Sequence, residues 1–126
     1  MLTIKIKILL ILFLPLSLNS CDSLEDNGID VTIINNSSES LTDLKFTTTE
    51  LLDSVPIGKV QAGERVTGFL SMQRNKADGA YSLTFTRADG EIENSISGYY
   101  TNGGSLDKRV EYKVENDTIL VEFFSY

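Results

Sequence analysis

Histidine and tryptophan are missing from this 126-residue chain, cysteine occurs once and proline twice. Without histidine the chain lacks the commonest general base, the usual serine triad and the commonest metal ligand. A lone cysteine, Cys21, excludes an internal disulfide. The missing tryptophan removes the usual stacking platform for sugars. No G-x-S-x-G, phosphate-cradling glycine loop or H-E-x-x-H occurs. Basic residues are scarce, 11 against 18 acidic, a net charge of -7 without a basic patch. That balance disfavours nucleic acid and anionic lipid head groups, which need Lys and Arg to neutralise phosphate. Long apolar runs are absent too: the unbroken run Ile8 to Leu14 is followed by Pro15 and Ser17 and ends before Asn19. A spanning helix needs roughly 20 mostly apolar residues. These absences point away from an enzyme and imply neither a cofactor nor a metal.

What is present begins with Lys5 and Lys7, the apolar run, and Pro15 to Ser20 leading into Cys21. A basic segment, a short apolar segment and a small residue before a cut form an export signal. Leu18-Asn19-Ser20-Cys21 resembles the lipobox of bacterial lipoproteins, with leucine three positions before the cysteine and a small residue directly before it. The resemblance implies that residues 1–20 are a signal peptide and that Cys21 becomes the mature amino terminus, thioether-linked to a diacylglycerol. Each buried methylene contributes about 0.8 kcal/mol, and two or three acyl chains anchor stably without a spanning helix. Removal of residues 1–20 leaves nine basic against 18 acidic side chains, a net charge of -9.

Residues 21–28 read as the lipidated cysteine and an acidic tether. Acidic residues after the cysteine resemble the surface-export signals of Bacteroidota lipoproteins, whereas Asp22 directly after it resembles the inner-membrane retention signal of enterobacteria. The expected location is the cell envelope, at the outer membrane or cell surface.

Residues 29–126 read as one all-β domain. Ile29, Val31 and Ile33 alternate with Asp30 and Thr32, as in a half-buried strand, and Asn35-Asn36-Ser37-Ser38 supplies turn chemistry. Leu41 to Val55 also offers helical spacing, with Ser40 and Asp43 as a cap. Phe46 off the helical face and the run Thr47 to Thr49 decide for a strand. Pro56 places Leu51 to Val60 at an edge or bulge, and Gln61 to Glu64 is a turn. Arg65 to Met72 points Val66, Leu70 and Met72 inward. Tyr81, Leu83 and Phe85 alternate with Ser82, Thr84 and Thr86, and Ala88-Asp89-Gly90 turns them into Glu91 to Tyr100. The inward set there is expected to be Ile92, Ile96 and Tyr100. Thr101 to Asp107 reads as the most flexible loop, and a last hairpin carries Val110, Tyr112 and Val114 inward before Thr118 to Phe124. About eight short strands predict an antiparallel β-sandwich of Ig-like architecture.

Four sets of candidate residues follow. Glu91 and Glu93, two apart, fall on one face of a strand, as paired carboxylates for glycoside hydrolysis would, but on a hairpin face expected to be solvated. Asp26-Asn27-Gly28-Ile29-Asp30 faintly resembles an oxygen-rich calcium loop without the spacing of an EF-hand, and the tether reading is preferred. Phe69, Tyr99, Phe124 and Tyr126 are expected to form an exposed aromatic patch for a protein or glycan partner. Asp22-Ser23-Leu24, Asp53-Ser54-Val55 and Asp117-Thr118-Ile119 resemble the acceptor motif for protein O-glycosylation in Bacteroidota, which implies Ser23, Ser54 and Thr118 as acceptors. The function expected is a lipid-anchored module that binds a protein, as an envelope-assembly component or an immunity-type inhibitor, with a glycan-binding surface lipoprotein as the alternative.

Overall fold

The computed structural model describes residues 27–126. The segment expected to be a signal peptide, the Cys21 and Ser23 expected to carry lipid and glycan, and the expected tether up to Asp26 lie outside them. Nine strands follow in order: β1 (Gly28–Asn35), β2 (Leu41–Thr48), β3 (Ser54–Val60), β4 (Arg65–Ser71), β5 (Gly79–Thr86), β6 (Ile92–Thr101), β7 (Gly104–Ser105), β8 (Arg109–Val114) and β9 (Ile119–Phe124). They form a four-stranded sheet in the order β4-β1-β8-β9 and a five-stranded sheet in the order β3-β2-β5-β6-β7. The two sheets pack as an all-β sandwich.

Two details of the strand layout differ from the sequence reading. The ninth strand is the two-residue β7, inside the segment read as the most flexible loop. That segment is held: Gly103 N–H donates to Ala77 O at 2.7 Å and Asn27 Nδ2 donates to Gly103 O at 2.8 Å. The pairing is antiparallel except between β1 and β8, which run parallel. β6 carries the chain to the end where β1 starts, and β8 leaves from that same end, parallel to β1.

The Leu41 to Val55 ambiguity resolves to strand. Phe46 enters the core fully buried, Thr47 and Thr48 extend the pairing, and Asp43 (φ 53°) marks a bulge between Leu41 and Lys45. Pro56 lies on β3, an edge of the five-stranded sheet, where a missing N–H breaks no ladder.

Both sheets contribute to one core. Ile29, Val31 and Ile33 of β1 and Val110, Tyr112 and Val114 of β8 face Leu44 and Phe46 of β2 and Tyr81, Leu83 and Phe85 of β5. Rings dominate its centre: Phe46 stacks on Tyr81 at 5.9 Å and meets the Tyr112 edge at 5.9 Å, and Tyr81 also touches Tyr100 and Phe123. Such pairs contribute about 0.5–1.5 kcal/mol each beyond the area they bury.

The rings explain where the expected inward set of β6 fails. Ile92 and Ile96 are 71% and 60% exposed, while Tyr100 is buried. Tyr81, Leu83 and Phe85 oppose Ser97, Ser95 and Glu93 across the ladder, so the odd-numbered residues of β6 face inward. Beside three large rings only small side chains fit, and Ser97 Oγ lies 3.4 Å from the Tyr112 hydroxyl. Gly98 (φ 74°) then opens a bulge that returns Tyr100 to the core. Its positive φ and the closeness of the Phe123 ring leave no room for a side chain.

Burial pushes the Tyr81 and Tyr112 phenols up to about 12. The raised value means that the folded state favours the neutral ring. Its contribution is complete below the ordinary phenol value of 10.0 and is lost as pH rises towards 12. Alkaline titration should therefore show tyrosinate absorbance from these two rings appearing together with loss of the β-sheet circular dichroism. Ionisation of all tyrosines while the fold persists would contradict this.

Candidate acidic cleft

At the end of the sandwich where β1 finishes, three turns distant in sequence are tied together. Asn35 closes the first: its buried side chain donates to Glu39 O (2.8 Å) and Val60 O (3.1 Å) and accepts from Ser37 N (3.0 Å). The second is the β5–β6 hairpin, closed by Arg87 N to Glu91 O at 2.8 Å, with Gly90 at φ 89° and Asp89 Oδ1 accepting from Glu91 N at 2.9 Å. The third, between β8 and β9, is joined to the first by Asn36 N to Val114 O (2.9 Å) and by Ser38 N to Asn116 Oδ1 (2.8 Å). Arg87 fastens the second to the third: Nη1 donates to Glu115 O at 2.9 Å, while Nε and Nη2 hold the two oxygens of Glu93 at 2.5 and 3.1 Å. Such bidentate pairs fix geometry as well as charge.

Between these turns lies a cleft lined by Glu39, Asp89, Glu91, Glu93 and Asp117 around Arg87, five carboxylates against one guanidinium, a net charge of -4. The Arg87 side chain is 11% exposed, and its hydrogen bond to Glu93 raises the guanidinium above its ordinary value, so it stays charged. Glu39, Glu91 and Asp117 are exposed on the rim. The cleft is a hydrogen-bonded anionic recess, with charge suited to a cationic side chain or a basic surface.

The sequence-derived candidates are only partly brought together. Glu93 is not on a solvated hairpin face: it points to the core side at the rim and is bound by Arg87, while Glu91 stays exposed. In the suspected calcium loop, Asn27 spends its side-chain N–H groups on Met72 O and Gly103 O, Ile29 is buried and Asp30 lies on the outer face of β1. Among the described residues no group of three or more acidic, Cys or His side chains is placed to hold a metal. Asp26 lies outside the described residues.

The four aromatics do not form one patch. Phe69 and Phe124 end one row across the outer face of the four-stranded sheet, Phe69–Asp30–Arg109–Phe124. Three strand spacings, about 14 Å, separate those two residues. Arg109 between them lies over the Phe124 ring at 4.1 Å, a cation–π contact. Tyr99 is on the other sheet, with its hydroxyl donating to Asp78 at 3.3 Å, and Tyr126 is 69% exposed at the carboxyl end. Ser54 opens β3 and Thr118 follows the β8–β9 turn, both exposed.

Sequence reasoning missed Arg87 and the union of the turns. The available signal was one arginine amid Asp89, Glu91 and Glu93. Nothing in the pattern tied these to Glu39 or Asp117.

No protein-family model matches the chain, and no curated protein matches it. Among solved structures it is similar to the NMR structure of a protein from Eubacterium rectale, at 14% identity and a TM-score of 0.54, covering 83% of this chain and 94% of that one. At that identity the likeness is one of fold alone.

Proposed function

We propose that this chain is a lipid-anchored, non-enzymatic binding module of the bacterial cell envelope, held at the outer membrane or cell surface through Cys21, whose acidic cleft engages a basic protein. One observation carries the reading: three turns remote in sequence are hydrogen-bonded into a single recess of net charge -4. It lies at the end of the sandwich opposite Gly28, where the tether enters, so anchoring leaves it uncovered. Charge complementarity of this kind supplies fast association and partner discrimination, as an envelope-assembly component or an immunity-type inhibitor requires. The absence of histidine and the commitment of Glu93 to Arg87 support binding over catalysis. The wide separation of Phe69 and Phe124 weighs against a sugar platform.

The test is a crosslinked pull-down of the lipidated protein from its native envelope, with mass spectrometry of what accompanies it. A single stoichiometric basic protein, released as salt is raised, supports the proposal. Recovery of polysaccharide, or of no protein above background, would overturn it in favour of a glycan-binding lipoprotein.

A further inference from the structure

We infer that two copies of this chain pair edge to edge through β6, by antiparallel strand addition about a two-fold axis at Asn94. Among the described residues β6 has β5 on one side, while on the other β7 covers only Tyr100 and Thr101. Residues 92–99 therefore border the sheet. The hydrogen bond from Arg87 N to Glu91 O sets the phase of the β5–β6 ladder. Alternation from that pair turns the amides and carbonyls of Ile92, Asn94 and Ile96 away from β5, towards the open edge.

The other three edges carry devices that discourage pairing. β3 has Pro56, Lys59 and a positive-φ Gly58, β4 has Arg65 and lies beside β3, and β9 has Glu122. From Ile92 to Ser97 β6 contains no proline, no lysine or arginine and no bulge. Its single charge there, Glu93, is neutralised by Arg87.

The edge is also self-complementary. Ile92, Asn94 and Ile96 share the outer face, so an axis at Asn94 sets Ile92 against the partner copy's Ile96 and Asn94 against its own equivalent. Glu93 then meets the partner copy's Ser95 and Glu91 its Ser97, so no like charges face each other. The match runs from Glu91 to Ser97, ending where the Gly98 bulge and β7 begin and where Gly90 turns away. Ile92 and Ile96, the exposed residues that the core excludes, pack side by side across the seam in this arrangement, which is isologous and closed. Because the two copies run antiparallel, their Gly28 ends lie at opposite ends of the joined sheets. Glu91 and Glu93 line both the acidic cleft and this edge, so each cleft borders the partner copy. The pairing is inferred from the β6 edge and does not rest on the partner proposed for the cleft.

Asn94→Cys in the full chain, produced in its native envelope and mildly oxidised, tests this by non-reducing electrophoresis. Cα atoms of a hydrogen-bonded antiparallel pair lie about 5.5 Å apart, inside the disulfide range of roughly 4.4–6.8 Å. Thr67→Cys, exposed on β4, is the comparator, and the unsubstituted chain controls for Cys21. The expected result is a covalent dimer roughly tenfold or more enriched over Thr67→Cys, because pairing raises the local thiol concentration. Adding Ile92→Lys with Ile96→Lys sets like charges opposite each other and should return the yield to the comparator level. Where Asn94→Cys fails to accumulate, Ile92→Cys with Ile96→Cys reports the same register. Dimer no more abundant than with Thr67→Cys, or insensitive to the lysine pair, would overturn the inference.

Discussion

Replacing Phe46 with alanine is expected to remove about 3–5 kcal/mol of stability, a large part of the roughly 5–15 kcal/mol that holds a typical domain folded. Phe46 is fully buried, stacks on Tyr81 and meets the edge of Tyr112, so it bridges the two sheets. Its removal leaves a void among rings that cannot collapse, because Tyr81 is held by Ser105 at 2.9 Å and Tyr112 lies beside Ser97. Urea unfolding followed by circular dichroism should show the midpoint falling steeply with an unchanged slope. A loss below about 1 kcal/mol would mean that the site repacks and that the rings are not the centre of the core.

The second large effect concerns the cleft. Glu39→Lys, Glu91→Lys and Asp117→Lys together convert its net charge from -4 to +2. All three side chains lie on the exposed rim, and Glu93 is left in place to hold Arg87. Surface changes of this kind usually shift stability by no more than about 0.5 kcal/mol. Opposed like charges at an interface cost several kcal/mol, so capture of the proposed basic partner should fall on the order of 100-fold. Binding to the native cleft should itself weaken from about 0.05 to 0.5 M salt, as the screening length shortens. Unaltered capture by the reversed variant would move the binding surface elsewhere.

Much of the architecture could be read from alternation and turn residues. Tyr81, Leu83 and Phe85 follow a two-residue period on a strand with one buried face. Asn35 to Ser38 and Asp89-Gly90 carry their own turn chemistry, which is why both turns lie where expected. The phase of β6 was hidden, because alternation says that Ile92 and Ile96 share a face but not which one. Their exposure depends on rings from β2, β5 and β8, and the bulge at Gly98 changes the phase within the strand. The parallel contact of β1 with β8 joins residues about eighty positions apart, beyond any local pattern. The cleft was hidden for the same reason: Glu39, Arg87 and Asp117 each look like ordinary turn residues until Asn36, Ser38 and Arg87 tie their turns together.

The proposed placement of the domain at the envelope rests on the proposed anchoring through Cys21, and intact-mass analysis of the protein extracted from its native membranes tests it most directly. The expected species begins at Cys21, lacks residues 1–20 and carries the mass of a diacylglycerol with or without an added acyl chain. A chain that retains the leader, or is cut elsewhere and has a free Cys21 thiol, would contradict lipid anchoring and with it the envelope function proposed for the cleft.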